Sequence, residues 1–138
     1  MPLRQNLSPY LKLKKRAVRT ISSSDFLAHT NPLFYSNQLL KVTDLYYYFV
    51  GIFMYQLNKQ ELPSVFSNLF VQNQEIHSYP TRQVHNFHIS PVRSILALKT
   101  FTYTGPSFWN TLDSDIIQSP SLFSFKRRLK RFLLQPYV

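Results

Sequence analysis

Ser121-Leu122-Phe123-Ser124-Phe125-Lys126-Arg127-Arg128-Leu129-Lys130-Arg131-Phe132-Leu133-Leu134-Gln135-Pro136 is the stretch whose reading decides the fold. At 100° per residue, Leu122, Phe125, Leu129, Phe132 and Leu133 fall along one stripe, and every basic residue lies off it. That pattern predicts an amphipathic helix over 120–134, opened near Ser119-Pro120 or Ser121 and closed by Gln135-Pro136. A helix of this kind needs an apolar partner surface, so the rest of the chain is expected to supply helices that pack against it.

Two further segments have helical period. Ser8 and Pro9 read as an N-cap and a first-turn proline, opening a basic helix over 9–21 that ends in Ser22-Ser23-Ser24. Leu7, Tyr10, Leu11, Ala17, Val18 and Ile21 share one arc, and Lys12, Lys15, Arg16 and Arg19 lie on the other side. Lys14 alone points into the apolar arc, where it must snorkel or sit at the edge. Over 43–58, capped by Thr43 or Asp44, apolar groups cover nearly the whole circumference apart from a strip of Asp44, Tyr47, Gly51 and Asn58. This predicts a buried central helix, whose tyrosines are core rather than a base-stacking platform.

Between these elements, Asn31-Pro32 begins a short helix or turn carrying Leu33 and Phe34, and Val65, Phe66, Leu69 and Phe70 suggest a small helical unit after Leu62-Pro63. From Gln74 to Thr104 the pattern shifts to short extended pieces, expected to form an irregular hairpin. Gly105-Pro106 reads as a turn into a short helix with Phe108, Trp109 and Leu112. The expected class is therefore mainly α: a small helical domain over 1–138 with a minor irregular β-hairpin.

Composition narrows the chemistry. The chain has 138 residues, a length that suits one domain. Leu, Ile, Val and Phe make up 33 % of it, enough to build a core. With no cysteine, thiolate metal sites, disulfides and cysteine nucleophiles are excluded. Two glycines, Gly51 and Gly105, cannot build a Walker loop or a dinucleotide turn. No signal peptide is legible, and the most apolar run, Leu45 to Leu57, is too short to cross a bilayer. The expected setting is the cytoplasm or nucleus.

The six carboxylates give no converging pair for two-metal chemistry. Asp113 and Asp115 read as capping or solvated acids, and His85 and His88 lack a third ligand. Neither an active site nor a cofactor is expected.

Net charge is +10, and all of the excess lies at the ends: +6 over residues 1–20, +5 over 116–138 and −1 between. Such blocks suit a polyanion or an anionic membrane, or are solvated helix faces.

The order of short motifs carries a resemblance. Lys15-Arg16-Ala17-Val18-Arg19 is followed by His29-Thr30-Asn31-Pro32-Leu33-Phe34. Leu40-Lys41-Val42-Thr43-Asp44-Leu45-Tyr46 precedes Phe53-Met54-Tyr55 and Leu62-Pro63. Then come His77-Ser78-Tyr79-Pro80-Thr81-Arg82 with Asn86 and Val92-Arg93, and finally Tyr103-Thr104-Gly105-Pro106-Ser107-Phe108-Trp109-Asn110-Thr111-Leu112, closed by Phe125-Lys126-Arg127-Arg128-Leu129-Lys130. The series resembles the C-terminal tail of reverse transcriptases of non-LTR, LINE-type retrotransposons of the jockey-like group. It departs at Asp113, where the family usually has proline.

The resemblance implies that the palm aspartates and the endonuclease domain lie upstream of the matching region. The chain is then a catalytically inactive remnant of an RNA-directed DNA polymerase that retains non-specific binding to RNA or DNA backbones. The residues expected to carry that binding are Lys12, Lys15, Arg16, Arg19, Lys126, Arg127, Arg128, Lys130 and Arg131, with Arg82 and Arg93 as second-rank candidates that also suit structural hydrogen bonding. Alternatives are a peripheral binder of anionic membranes and a truncated product without function.

Overall fold

In the computed structural model, the described residues are 2–76 and 84–138, with side chains from Leu7 onward. Seven α-helices dominate: α1 Pro2–Ile21, α2 Thr30–Ser36, α3 Val42–Asn58, α4 Asn73–Ile76, α5 Phe101–Trp109, α6 Ser114–Ile117 and α7 Leu122–Leu134. Three 3-10 turns accompany them, at Ser64–Phe66, Ala97–Lys99 and Gln135–Tyr137. The class is mainly α, as the periodicity predicts. The sequence reads as one domain; the structure divides it into two compact units, one of residues 1–48 with 127–138 and the other of residues 49–126. α3 and α7 run from one unit into the other.

In the first unit, α1 packs on α2, and α2 packs on the C-terminal turn. Its core is Val18, Phe34, Leu40, Leu129, Leu133, Leu134 and Tyr137, with the Phe34 and Tyr137 rings edge to face at 6.3 Å. Tyr137 is also pinned by polar contacts: its hydroxyl donates to Asp44 Oδ2 and accepts the Lys41 N–H at 3.0 Å. Burial and the adjacent Asp44 carboxylate push the Tyr137 phenol well above its ordinary range.

α1 begins at Pro2 instead of at Ser8-Pro9. Proline suits a helix's first turn, and Pro9, inside the helix, is exposed. The lost backbone bond therefore lies where solvent can compensate. The packed stripe is Leu7, Leu11, Lys14 and Val18; Tyr10, Ala17 and Ile21, expected in the core, are exposed. A helix this long presents a wide apolar arc, and a seven-residue partner covers only one side of it.

The second unit is built on aromatics. Neighbouring ring centroids are 4.4 to 6.2 Å apart along an unbroken series Phe66, Phe53, Phe101, Phe70, Phe87, Trp109, Phe125, Tyr55. Edge-to-face and offset pairs of this kind each add about 0.5–1.5 kcal/mol beyond area burial. The Tyr55 hydroxyl, buried, donates to Ser119 O at 2.8 Å.

α3 is less enclosed than its composition predicts. Val50, Gly51, Met54 and Tyr55 are buried, but Phe49 is 64 % exposed and Tyr46 and Tyr47 are also exposed. Gly51, in the strip that apolar side chains leave uncovered, is buried.

The stretch 74–104 departs furthest from expectation. Among the described residues, extended pairing is confined to an antiparallel bridge between Gln72 and Phe87, flanked by His88 N–H to Val71 O and Asn73 N–H to Asn86 O, and 77–83, which the expected hairpin includes, lie outside the described residues. Leu98, Phe101 and Tyr103 are helical instead. Their alternation mimics a strand, yet Phe101 is held in a helix by Phe53 and Phe70 on either side. Gly105-Pro106, expected as a turn, lies inside α5. A Cβ at Gly105 would come within 3.1 Å of Met54 Sδ, so helix contact rather than a turn explains the glycine. Between α3 and the bridge, only Phe70 is buried; Val65 and Leu69 are exposed.

Helices α1, α2 and α3 each end with a residue in the left-handed region: Ser23 (φ 49°), Gln38 (φ 54°) and Gln60 (φ 58°). Each is followed by the amide that reaches back six residues inclusive, Ser24 N–H to Arg19 O, Leu39 N–H to Phe34 O and Glu61 N–H to Gln56 O. These are Schellman ends formed without glycine.

Candidate nucleic-acid interface

The fold gathers charge that the sequence holds at opposite ends. The first unit contains eleven basic and two acidic side chains, a net +9, and the second five basic and four acidic, a net +1. Chain folding, by returning residues 127–138 to residues 1–48, puts the first basic block and all of the second but Lys126 in one body.

Of the residues expected to bind, Lys12, Lys15 and Arg16 are exposed on α1, and Arg127, Arg128 and Arg131 are exposed on α7. Lys130 and Lys126 are half-buried, and Lys126 falls in the second unit. On α7 the separation of faces is clean: Phe125 and Leu129 have no exposed area, and Leu133 and Leu134 are buried, so the arginines face outward because the stripe faces in. Arg19 has a structural role as well: its Nε donates to Ala28 O at 3.0 Å, and its guanidinium lies 5.9 Å from the Phe26 ring centroid. Arg93 is exposed in the second unit, outside any helix, and Arg82 lies outside the described residues.

Two lysines of the first unit are spent on structure. Lys14, singled out by its misfit in the apolar arc, donates to Leu40 O at 2.6 Å. Burial pushes its ammonium below the usual lysine range, with the Asp44 charge opposing. Lys41 donates to Asn31 Oδ1 at 2.6 Å and lies 4.3 Å from the Tyr137 ring centroid. Local sequence pattern does not indicate this role for Lys41, because its partners are 10 and 96 residues away.

The remaining polar motifs also resolve into structural roles. Asn110 Oδ1 accepts the Phe87 N–H at 3.1 Å, and its Nδ2 donates to Phe87 O at 2.9 Å. One side chain thus satisfies both backbone groups of Phe87 that point away from the Gln72 bridge. Asp113 occupies the N-cap position of α6, without a side-chain cap bond. Asp44 accepts from Tyr137. Among the described residues no three His, Asp or Glu side chains form a metal cluster. His85 is exposed, and His88 lines a cavity of about 190 Å³ with Phe70 and Tyr103 in the second unit. No helix among the described residues is long and apolar enough to cross a membrane.

Comparison with family models, with curated proteins and with solved structures finds no match for this chain.

Proposed function

We propose that this chain is the C-terminal segment of a non-LTR, LINE-type reverse transcriptase, without polymerase chemistry of its own, and that it binds RNA or DNA through the phosphate backbone. The family origin rests on the four motif blocks and their order. The binding rests on one observation: nine of the ten net positive charges belong to one compact unit, where six exposed cations lie on α1 and α7. A polyanion is the natural complement to such a surface. The membrane alternative places the apolar faces of the basic helices in lipid; on α7 that face is closed, because Phe125 and Leu129 are fully buried.

If those six cations meet phosphates on duplex DNA, log K falls against log salt with a slope of about −5, with little dependence on base sequence. Replacing Arg127, Arg128 and Arg131 with glutamine is expected to flatten the slope by about 2 to 3 units while helicity survives, because none of them is on the buried stripe. The same change at Lys12, Lys15 and Arg16 is expected to act equally. An affinity that is insensitive to salt, or a folded double-triple variant that binds as tightly as the parent, overturns the reading.

A further inference from the structure

After α1 the chain makes a tight turn, closed by the Ala28 N–H on Asp25 O at 3.0 Å, whose central residues are Phe26 and Leu27. Phe26 is 71 % exposed, comparable with Phe49 and Phe123, and an arginine side chain lies over its ring. The ring is held in place by Arg19, whose side chain bonds to the far end of the turn and lies beside the ring. Arg19 is itself the last member of the basic stripe that begins at Lys12 and passes through Lys15 and Arg16. The result is an open aromatic surface, positioned by an arginine, at the end of a row of cations.

A row of cations recognises phosphates in any nucleic acid, whereas an exposed ring beside it gains only when an unpaired base can lie against it. In a duplex the bases are already stacked on one another and present no face. Resting on the backbone-binding reading above, we infer that the α1 face prefers single-stranded RNA or DNA, with Phe26 as the platform on which one base stacks and Lys12, Lys15 and Arg16 as contacts to the adjoining phosphates.

The test measures Phe26→Ala and Phe26→Trp in the full chain against an oligo-dT strand of about 20 nucleotides and a duplex of equal length. Phe26→Ala is expected to weaken single-strand binding by about 5- to 100-fold while leaving duplex affinity and both salt slopes unchanged. Phe26→Trp is expected to restore affinity, and the fluorescence of the introduced indole, read against the buried Trp109, to be quenched by the strand. Unchanged single-strand affinity in a folded Phe26→Ala chain overturns the inference, as does an equal loss on both probes. If the parent binds neither probe with a salt slope, the backbone-binding reading fails, and this inference with it. Retention on phosphatidylserine vesicles that is lost in Phe26→Ala, with oligo-dT affinity intact, assigns the turn to lipid and also overturns the inference.

Discussion

Replacing Asn110 tests how the second unit is held together. Its side chain supplies one acceptor and one donor to the two backbone groups of Phe87, a residue 4 % exposed. Asn110→Ala leaves both groups without a partner, at about 1–3 kcal/mol for each buried group, partly relieved where the cavity left by the side chain admits water. The expected loss is about 2–4 kcal/mol, a large part of a typical domain's stability. At about 4 °C per kcal/mol for a chain of this size, the midpoint of thermal unfolding falls by about 8–16 °C.

Asn110→Asp sharpens the test. An ionised carboxylate accepts from the Phe87 N–H, yet its second oxygen faces the Phe87 carbonyl oxygen, acceptor against acceptor. Protonated, the same group donates to that carbonyl and mimics the amide. The folded state thus raises the aspartate pKa, so its stabilising contribution is complete below the unfolded value of about 3.9 and disappears as pH rises through the folded value. The deficit relative to the parent is therefore expected to be large at pH 7 and to shrink towards pH 3. Thermal unfolding by circular dichroism gives the magnitude, and amide exchange at Phe87 locates it. An Asn110→Ala midpoint within about 2 °C of the parent, or an Asn110→Asp deficit independent of pH, refutes the reasoning.

Two other expectations follow from backbone and burial. Gln60→Gly relieves about 1–2 kcal/mol of left-handed strain and gives back about 0.4–1 kcal/mol in unfolded-chain entropy, so urea unfolding should show a net gain of about 0.5–1 kcal/mol; a loss would mean that the Gln60 side chain contributes more than its backbone costs. Stability should also fall as pH rises above about 10: burial raises the phenols of Tyr48, Tyr55 and Tyr137 in the folded chain, so the unfolded state loses its protons first. Lys14, shifted downward, works in the opposite direction. A flat unfolding free energy between pH 9 and 11 in the parent, matching Tyr137→Phe, would show that these phenols are not protected.

What the sequence determined by itself is everything that depends on local period and on the sum of side chains. The stripe through Phe125, Leu129 and Leu133 makes α7 a helix with one buried face wherever it packs, and the absence of cysteine and the scarcity of glycine exclude chemistry without reference to any fold. Lys14 could be marked as a misfit in an apolar arc, since that is a property of its own helix.

Tertiary structure decided matters that turn on which distant segments meet. Whether Phe101 and Tyr103 lie in a strand or a helix is ambiguous at two-residue spacing and was settled by Phe53 and Phe70 against Phe101. Gly105 reads as a turn until Met54 lies against it. The +9 unit exists only because the last dozen residues join the first 48, and the exposure of Phe26 beside Arg19 is a fact of the turn that no hydrophobic pattern encodes. Periodicity fixes which face of an element is apolar; it carries no information about which neighbour covers that face, or how much of it is left uncovered.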